Sequence, residues 1–161
     1  MSAFQGCPGS KMMDRRAETS QKEASPAEAT PGNIPSALSQ WPIQMHLISP
    51  QAPYFQDADV ILCADCVAYA LGGFHGKFLK GKSIAIACPK LDKGQEIYIE
   101  KIKAWIDEAK INTLSIMIME VPCCMGLVNL AKQAAQAATR KLPLKLTVVG
   151  LNGEIRREEW L

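Results

Sequence analysis

Six cysteines stand at positions 7, 63, 66, 88, 123 and 124, and two of them are neighbours in MEVPCCMGL, residues 119 to 127, between a proline and a glycine. Thiols at such positions can cross-link, hold a soft metal or exchange electrons. Adjacent residues such as Cys123 and Cys124 do not bond to each other without strain. A chain of 161 residues also has core enough to fold without staples, so no disulfide framework is expected. Cys63-Ala64-Asp65-Cys66 has the C-x-x-C spacing of a thioredoxin-like redox pair, but that motif leaves Cys88, Cys123 and Cys124 without a role.

The elements that position these thiols can be read from apolar periodicity. Composition changes near Gln40: residues 8 to 39 are rich in Ser, Ala, Glu, Thr, Pro and Gly, with few side chains able to offset ordering entropy. A flexible tail over 1–40 and one folded domain over 41–161 are therefore expected. In the domain, the runs 43–48 (IQMHLI), 59–63 (DVILC), 83–88 (SIAIAC), 113–119 (TLSIMIM) and 144–151 (LKLTVVGL) read as strands. Ile97, Ile99, Ile102, Trp105, Ile106 and Ala109 largely recur at three- and four-residue spacing, which predicts a helix over 95–110. A second helix is expected over 125–140, and 66–79 reads as helical in its first half before Gly72 and Gly73. Strands alternating with helices predict a three-layer α/β fold, Rossmann- or flavodoxin-like. Its mainly parallel sheet would have four to five strands, with helices on both faces.

In such a sheet ligands bind beyond the carboxyl ends of the strands. Cys63 and Cys66 follow the second run, Cys88 closes the third, and Cys123 and Cys124 follow the fourth, so five thiols are expected on one edge. Helix N-termini at that edge favour thiolates, and Pro89 and Pro122 stiffen the turns beside them. Four thiolates suit zinc or an iron-sulfur cluster and argue against calcium or magnesium.

Other signals point elsewhere or nowhere. GKFLKGKS, Gly76 to Ser83, satisfies the phosphate-loop pattern, yet Ser83 opens a strand where that motif requires a helix. His75, Asp65 and Lys90 are expected near the thiol edge and are the candidates for proton chemistry there, whereas His46 lies inside an apolar run and reads as structural. Net charge is +2 with scattered lysines, so no nucleic-acid partner is expected. Neither a signal-peptide core nor an eighteen-residue apolar run occurs, and a cytoplasmic protein with free or metal-bound thiols, away from membranes, is expected.

The series WPIQMHLISPQAPYF, ADC, FHGKFLKGK, CPKLD and MEVPCCMGL resembles a family of ferredoxin-like iron-sulfur cluster-binding proteins, labelled oxidoreductases, of anaerobic bacteria and archaea, across residues 41 to 161. Gln5 to Ser10 (QGCPGS) is similar to a segment that follows the ferredoxin motifs in longer members, but the C-x-x-C-x-x-C-x-x-x-C-P run itself is absent. The chain thus resembles the C-terminal domain of such proteins, without their ferredoxin module. The resemblance implies Cys66, Cys88, Cys123 and Cys124 as ligands of an iron-sulfur cluster of the 4Fe-4S type, and a redox partner protein. It leaves out Cys63, where members carry a small non-thiol residue, although by position Cys63 ends its strand much as Cys88 does. Electron transfer or redox sensing, as a component of an oxidoreductase, is the expected function. A structural or regulatory zinc site and a metal-free dithiol exchanger are the alternatives.

Overall fold

The computed structural model describes residues 8–18 and 34–161. A short antiparallel ribbon, β1 (Met13–Asp14) with β2 (Gln40–Trp41), precedes the main sheet. That sheet holds β3 (Asp59–Ala64), β4 (Ser83–Ala87), β5 (Thr113–Met119), β6 (Leu144–Val149) and β7 (Ile155–Trp160), in the order β4-β3-β5-β6-β7. All neighbours are parallel except β6 and β7. The helices are α1 (Val67–Ala70), α2 (Glu96–Asp107) and α3 (Met125–Ala137), with a π-helical turn at His75–Leu79.

The order explains the layers. From β4 the chain crosses β3 to reach β5 and then moves on in the same direction to β6, so right-handed crossovers put α2 and α3 on one face. The connection from β3 to β4 runs the opposite way and sets α1 and the π turn on the other. Being covered on both faces, β3, β4 and β5 are almost continuously buried, which is why they read as apolar runs with little alternation. Helix α2 turns Tyr98, Ile102, Trp105 and Ile106 inward, and α3 turns Leu127, Val128, Leu130, Ala131 and Ala134. The three-layer, mainly parallel architecture is the one expected.

Two segments differ from the reading by pattern. Residues 43–48 do not form a strand: Gln44 makes a single bridge to Ile86, and the chain then turns. The Lys101 ammonium holds that turn by donating to the carbonyls of Met45, His46 and Ile48 at 2.8, 3.1 and 2.8 Å. The last strand, β7, was not expected, because IRREEW is exposed throughout and has no apolar alternation. It exists because the chain reverses after β6 and pairs along it.

The expected domain boundary falls at a residue with defined contacts. Gln40 is buried, and its side-chain amide bonds the backbone of Ile84 on the outer side of β4. From the stretch assigned to the tail, Arg15 N–H donates to Ser39 O at 2.6 Å and Arg16 to Pro53 O at 3.0 Å, while Trp41 donates to Gly9 O at 2.6 Å. Residues 1–7 and 19–33 of that stretch lie outside the described residues. No helix among the described residues is long and apolar enough to cross a membrane.

Candidate functional site

The strand order reverses at β3: one connection leaves it toward β4, and the next returns past it to β5. A crevice therefore opens beyond the carboxyl ends of β3 and β5, where their outgoing connections part to opposite faces. The segment Cys63–Cys66 lines one side of this crevice and the Pro122–Cys124 turn the other, with Cys88 next door at the end of β4. Registers agree: Cys63 lies beside Ile86 on β4 and Met117 on β5, and Asp65 N–H donates to Ala87 O at 3.1 Å.

The five thiols are free and differ in exposure. Cys66 precedes α1 and Cys123 sits in the turn before α3; both are exposed, while Cys88 is half-buried. Cys124, at the N-cap of α3, is buried. Burial raises its pKa, a backbone hydrogen bond from Met119 opposes the rise, and the neighbouring Cys123 and Cys66 add to it. Cys63 is 1 % exposed. Burial, then the negative charges of Asp65 and Cys124, push its thiol far above the usual range, and its Sγ faces the Ala64 carbonyl at 3.5 Å. These mutual influences tie Cys63, Cys66, Cys123 and Cys124 to one neighbourhood.

A polar network supports the Cys88 loop. Asp92 Oδ2 accepts the Cys88 N–H at 3.0 Å and the Tyr98 hydroxyl at 2.7 Å. Gln95 donates from its amide to the carbonyls of Pro89 and Asp92, both at 2.7 Å. Tyr98 is fully buried with its ring 4.7 Å from that of His46. Burial first, and then the hydrogen bond and charge of Asp92, raise the Tyr98 phenol, so it remains a donor. Reading by motif missed Asp92, Gln95 and Tyr98; the available signal was an aspartate four residues past a thiol in CPKLD, the spacing of a side chain returning to its own turn.

Helix α3 meets this loop closely. A Cβ built on Gly126 would lie 2.9 Å from Pro89 Cβ, well inside carbon–carbon contact. The glycine thus lets the turn carrying Cys124 approach the turn carrying Cys88. Gly126→Ala is expected to cost about 1–3 kcal/mol through overpacking, offset by at most about 1 kcal/mol of helix propensity. Urea unfolding would measure the net loss, and a variant as stable as the parent would refute the close approach.

Asp65 is half-buried beside Cys66, and its Oδ1 is buried with no hydrogen-bond partner among the described residues. Burial, then the charge of Asp92, raise its pKa. The native carboxyl keeps its proton to higher pH than the unfolded chain does, so stability is lost as pH rises through the native pKa. Asp65→Asn is neutral at every pH and should remove that loss. Variant and parent are expected to match in acid, with the variant ahead at pH 7 by no more than about 1 kcal/mol because the group is half in water. Unfolding titrations across pH would show it; a variant weaker at pH 7 means that the carboxylate is stabilised after all.

The remaining candidates fall elsewhere. His75 Nδ1 accepts the Ala37 N–H at 3.1 Å and so docks the chain ahead of β2. Lys90 is exposed in the turn after Cys88. Ser83 at the end of the phosphate-loop lookalike opens β4 and donates to the Tyr54 carbonyl, at the edge of the sheet opposite the thiols. A groove of about 320 Å³ adjoins the Pro122–Cys124 turn, floored by Ile118, Met119, Val121 and Met125 and rimmed by Glu120 and Arg156. Among the described residues, no three His, Cys, Asp or Glu side chains stand together closely enough to hold a metal ion as they are.

An open, mainly parallel sheet with its crevice at the strand reversal defines an α/β protein of the Rossmann type. Residues 52–161 match the model of the Rossmann-like domain family, and the chain belongs to that family. It is similar to an uncharacterized protein of Archaeoglobus fulgidus, with 25% identity over 118 residues, 73% of this chain and 82% of the relative. No solved structure matches the chain.

Proposed function

We propose that the chain binds an iron-sulfur cluster of the 4Fe-4S type through Cys66, Cys88, Cys123 and Cys124, and exchanges electrons with a partner protein as a component of an oxidoreductase. The observation that carries this reading is that three adjacent strands, β4, β3 and β5, all carry thiols at or just past their carboxyl ends, in or beside the crevice at the strand reversal. The donor set is soft and suits iron-sulfur or zinc. Cys66 and Cys123 are exposed in short turns and have room to reorient about χ1, whereas Asp92 fixes the backbone of Cys88. Cys63 is left out because the resemblance leaves it out and its side chain is packed in the core at 1 % exposure. The resemblance carried by ADC, CPKLD and VPCC supports the same four. When bound, such a cluster supplies one-electron chemistry.

An apolar side chain faces water close in sequence to each thiol-bearing segment: Tyr69 in α1 at 94 %, Leu91 in the turn after Cys88 at 76 % and Met125 at the start of α3 at 41 % exposure. Exposed apolar side chains of this kind suit a transient protein partner. The reducing cytoplasm keeps the thiols unpaired.

Purification without oxygen, followed by visible absorption and iron, zinc and sulfide analysis, tests the reading. A brown protein carrying iron and sulfide is expected. A colourless protein holding zinc, or one holding no metal with thiols that exchange with disulfides, would overturn it in favour of the corresponding alternative.

A further inference from the structure

The two edges of the sheet are finished differently. Along β4 the outward peptide groups are occupied: the Gln40 amide accepts from Ile84 N–H at 2.8 Å and donates to its carbonyl at 2.9 Å, and Ile86 exchanges backbone bonds with Ile43 and Met45. Strand β7, at the other end of the order, has β6 on one side and no strand on the other among the described residues. All six of its residues are exposed, and Ile155, Trp160 and the following Leu161 are 40 %, 64 % and 42 % accessible. Charge on an open edge ordinarily deters pairing. Here Arg157 and Glu159 stand two residues apart, so an antiparallel copy of the strand can set each opposite the other.

We propose that β7 pairs antiparallel with β7 of a second copy of this chain, joining two five-stranded sheets across a two-fold axis. The ladder settles which groups are available. Leu161 N–H donates to Leu144 O, so by alternation the peptide groups of Arg157 and Glu159 face β6 and those of Glu158 and Trp160 face outward, while a register shift opposite Val148 and Val149 ends the alternation at Arg156. A two-fold axis normal to the sheet pairs residues of equal parity, and centring it on Glu158 pairs the outward peptide group of Glu158 with that of the second copy. Arg157 then stands opposite Glu159 of the second copy, and because it already reaches its own Glu159 at 3.2 Å the four charges close into a ring. The central pair, Glu158 with its counterpart, is relieved by Lys145, whose ammonium lies 3.0 Å from Glu158, and by the Thr147 hydroxyl at 3.2 Å. Centring on Arg157 instead would oppose two arginines and draw the irregular Arg156 into the pairing. The regular stretch from Arg157 to Glu159 and the relief of Glu158 by Lys145 favour the first register.

Sedimentation equilibrium of the full chain is the test, with far-UV circular dichroism to verify folding. A concentration-dependent dimer is expected. Arg157→Glu alone and Glu159→Arg alone each oppose like charges and should weaken dimerisation at least tenfold, and the double variant Arg157→Glu/Glu159→Arg should restore it. Glu158→Pro removes an outward N–H while sparing the β6 ladder, and should give a folded monomer. A parent chain that stays monomeric at every concentration, whether another segment or another protein takes the edge, overturns the proposal. So does a dimer indifferent to all four changes.

Discussion

Single replacement of Cys66, Cys88, Cys123 or Cys124 by serine is expected to remove most of the bound metal, while Cys63→Ser leaves the metal per chain unchanged. In the proposed centre each of the four would supply one thiolate, and a serine hydroxyl is both hard and protonated at neutral pH, a poor ligand for a soft centre. Cys63 behaves differently because its side chain is 1 % exposed and packed in the core. A hydroxyl there, without a full set of partners, costs about 1–3 kcal/mol. The Cys63 variant should thus melt earlier and stay loaded. The exposed Cys66 and Cys123 variants should lose metal with little loss of apo stability. Iron per chain and apo-protein melting, measured on all five variants, separate the two classes. Loss of metal from Cys63→Ser with retention in Cys124→Ser would show that the ligand set is misassigned; five variants with parental metal content would remove the centre altogether.

Trp105→Ala should lower the unfolding free energy by about 3–5 kcal/mol, the usual cost of deleting a buried large aromatic side chain. Trp105 is 0 % exposed on the inner side of α2, with its ring centroid 4.8 Å from that of Phe55. Phe55 in turn lies in the Pro53–Phe55 turn that leads into β3. The cavity would therefore loosen both the helix and the entry to the central strand. Against a typical total of about 5–15 kcal/mol, that loss brings the chain close to its unfolding threshold. Trp160→Ala offers the contrast: at 64 % exposure it should change monomer stability by no more than about 0.5 kcal/mol. Urea titrations followed by circular dichroism give both numbers, and a Trp105→Ala cost below about 1 kcal/mol would mean that α2 is not packed as described.

Helices α2 and α3 and the strands β3 to β6 were all legible, because each announces itself locally. The helices recur at helical spacing over at least three turns, and the strands are apolar runs of five to seven residues. The run 43–48 has the same composition as those strands and is not one. Its fate depends on Lys101, more than fifty residues away, whose ammonium gathers three carbonyls of the turn. Strand β7 is the converse case: nothing apolar marks it, and its pairing is provided by β6.

For the candidate site, the sequence alone determined that five thiols follow three strands, and hence that they share the carboxyl edge of a parallel sheet. That inference needs only strand direction, a property of every β-α unit taken singly. The tertiary structure decided the rest. It ordered the strands so that β3 and β5 flank the reversal, turned Cys63 into the core while leaving Cys66 in water, and tied Asp92 and Tyr98 to the Cys88 loop. These are outcomes of pairing and packing between segments distant in the chain. A buried central strand covered on both faces carries no local mark of its neighbours, nor of which way its last side chain must point.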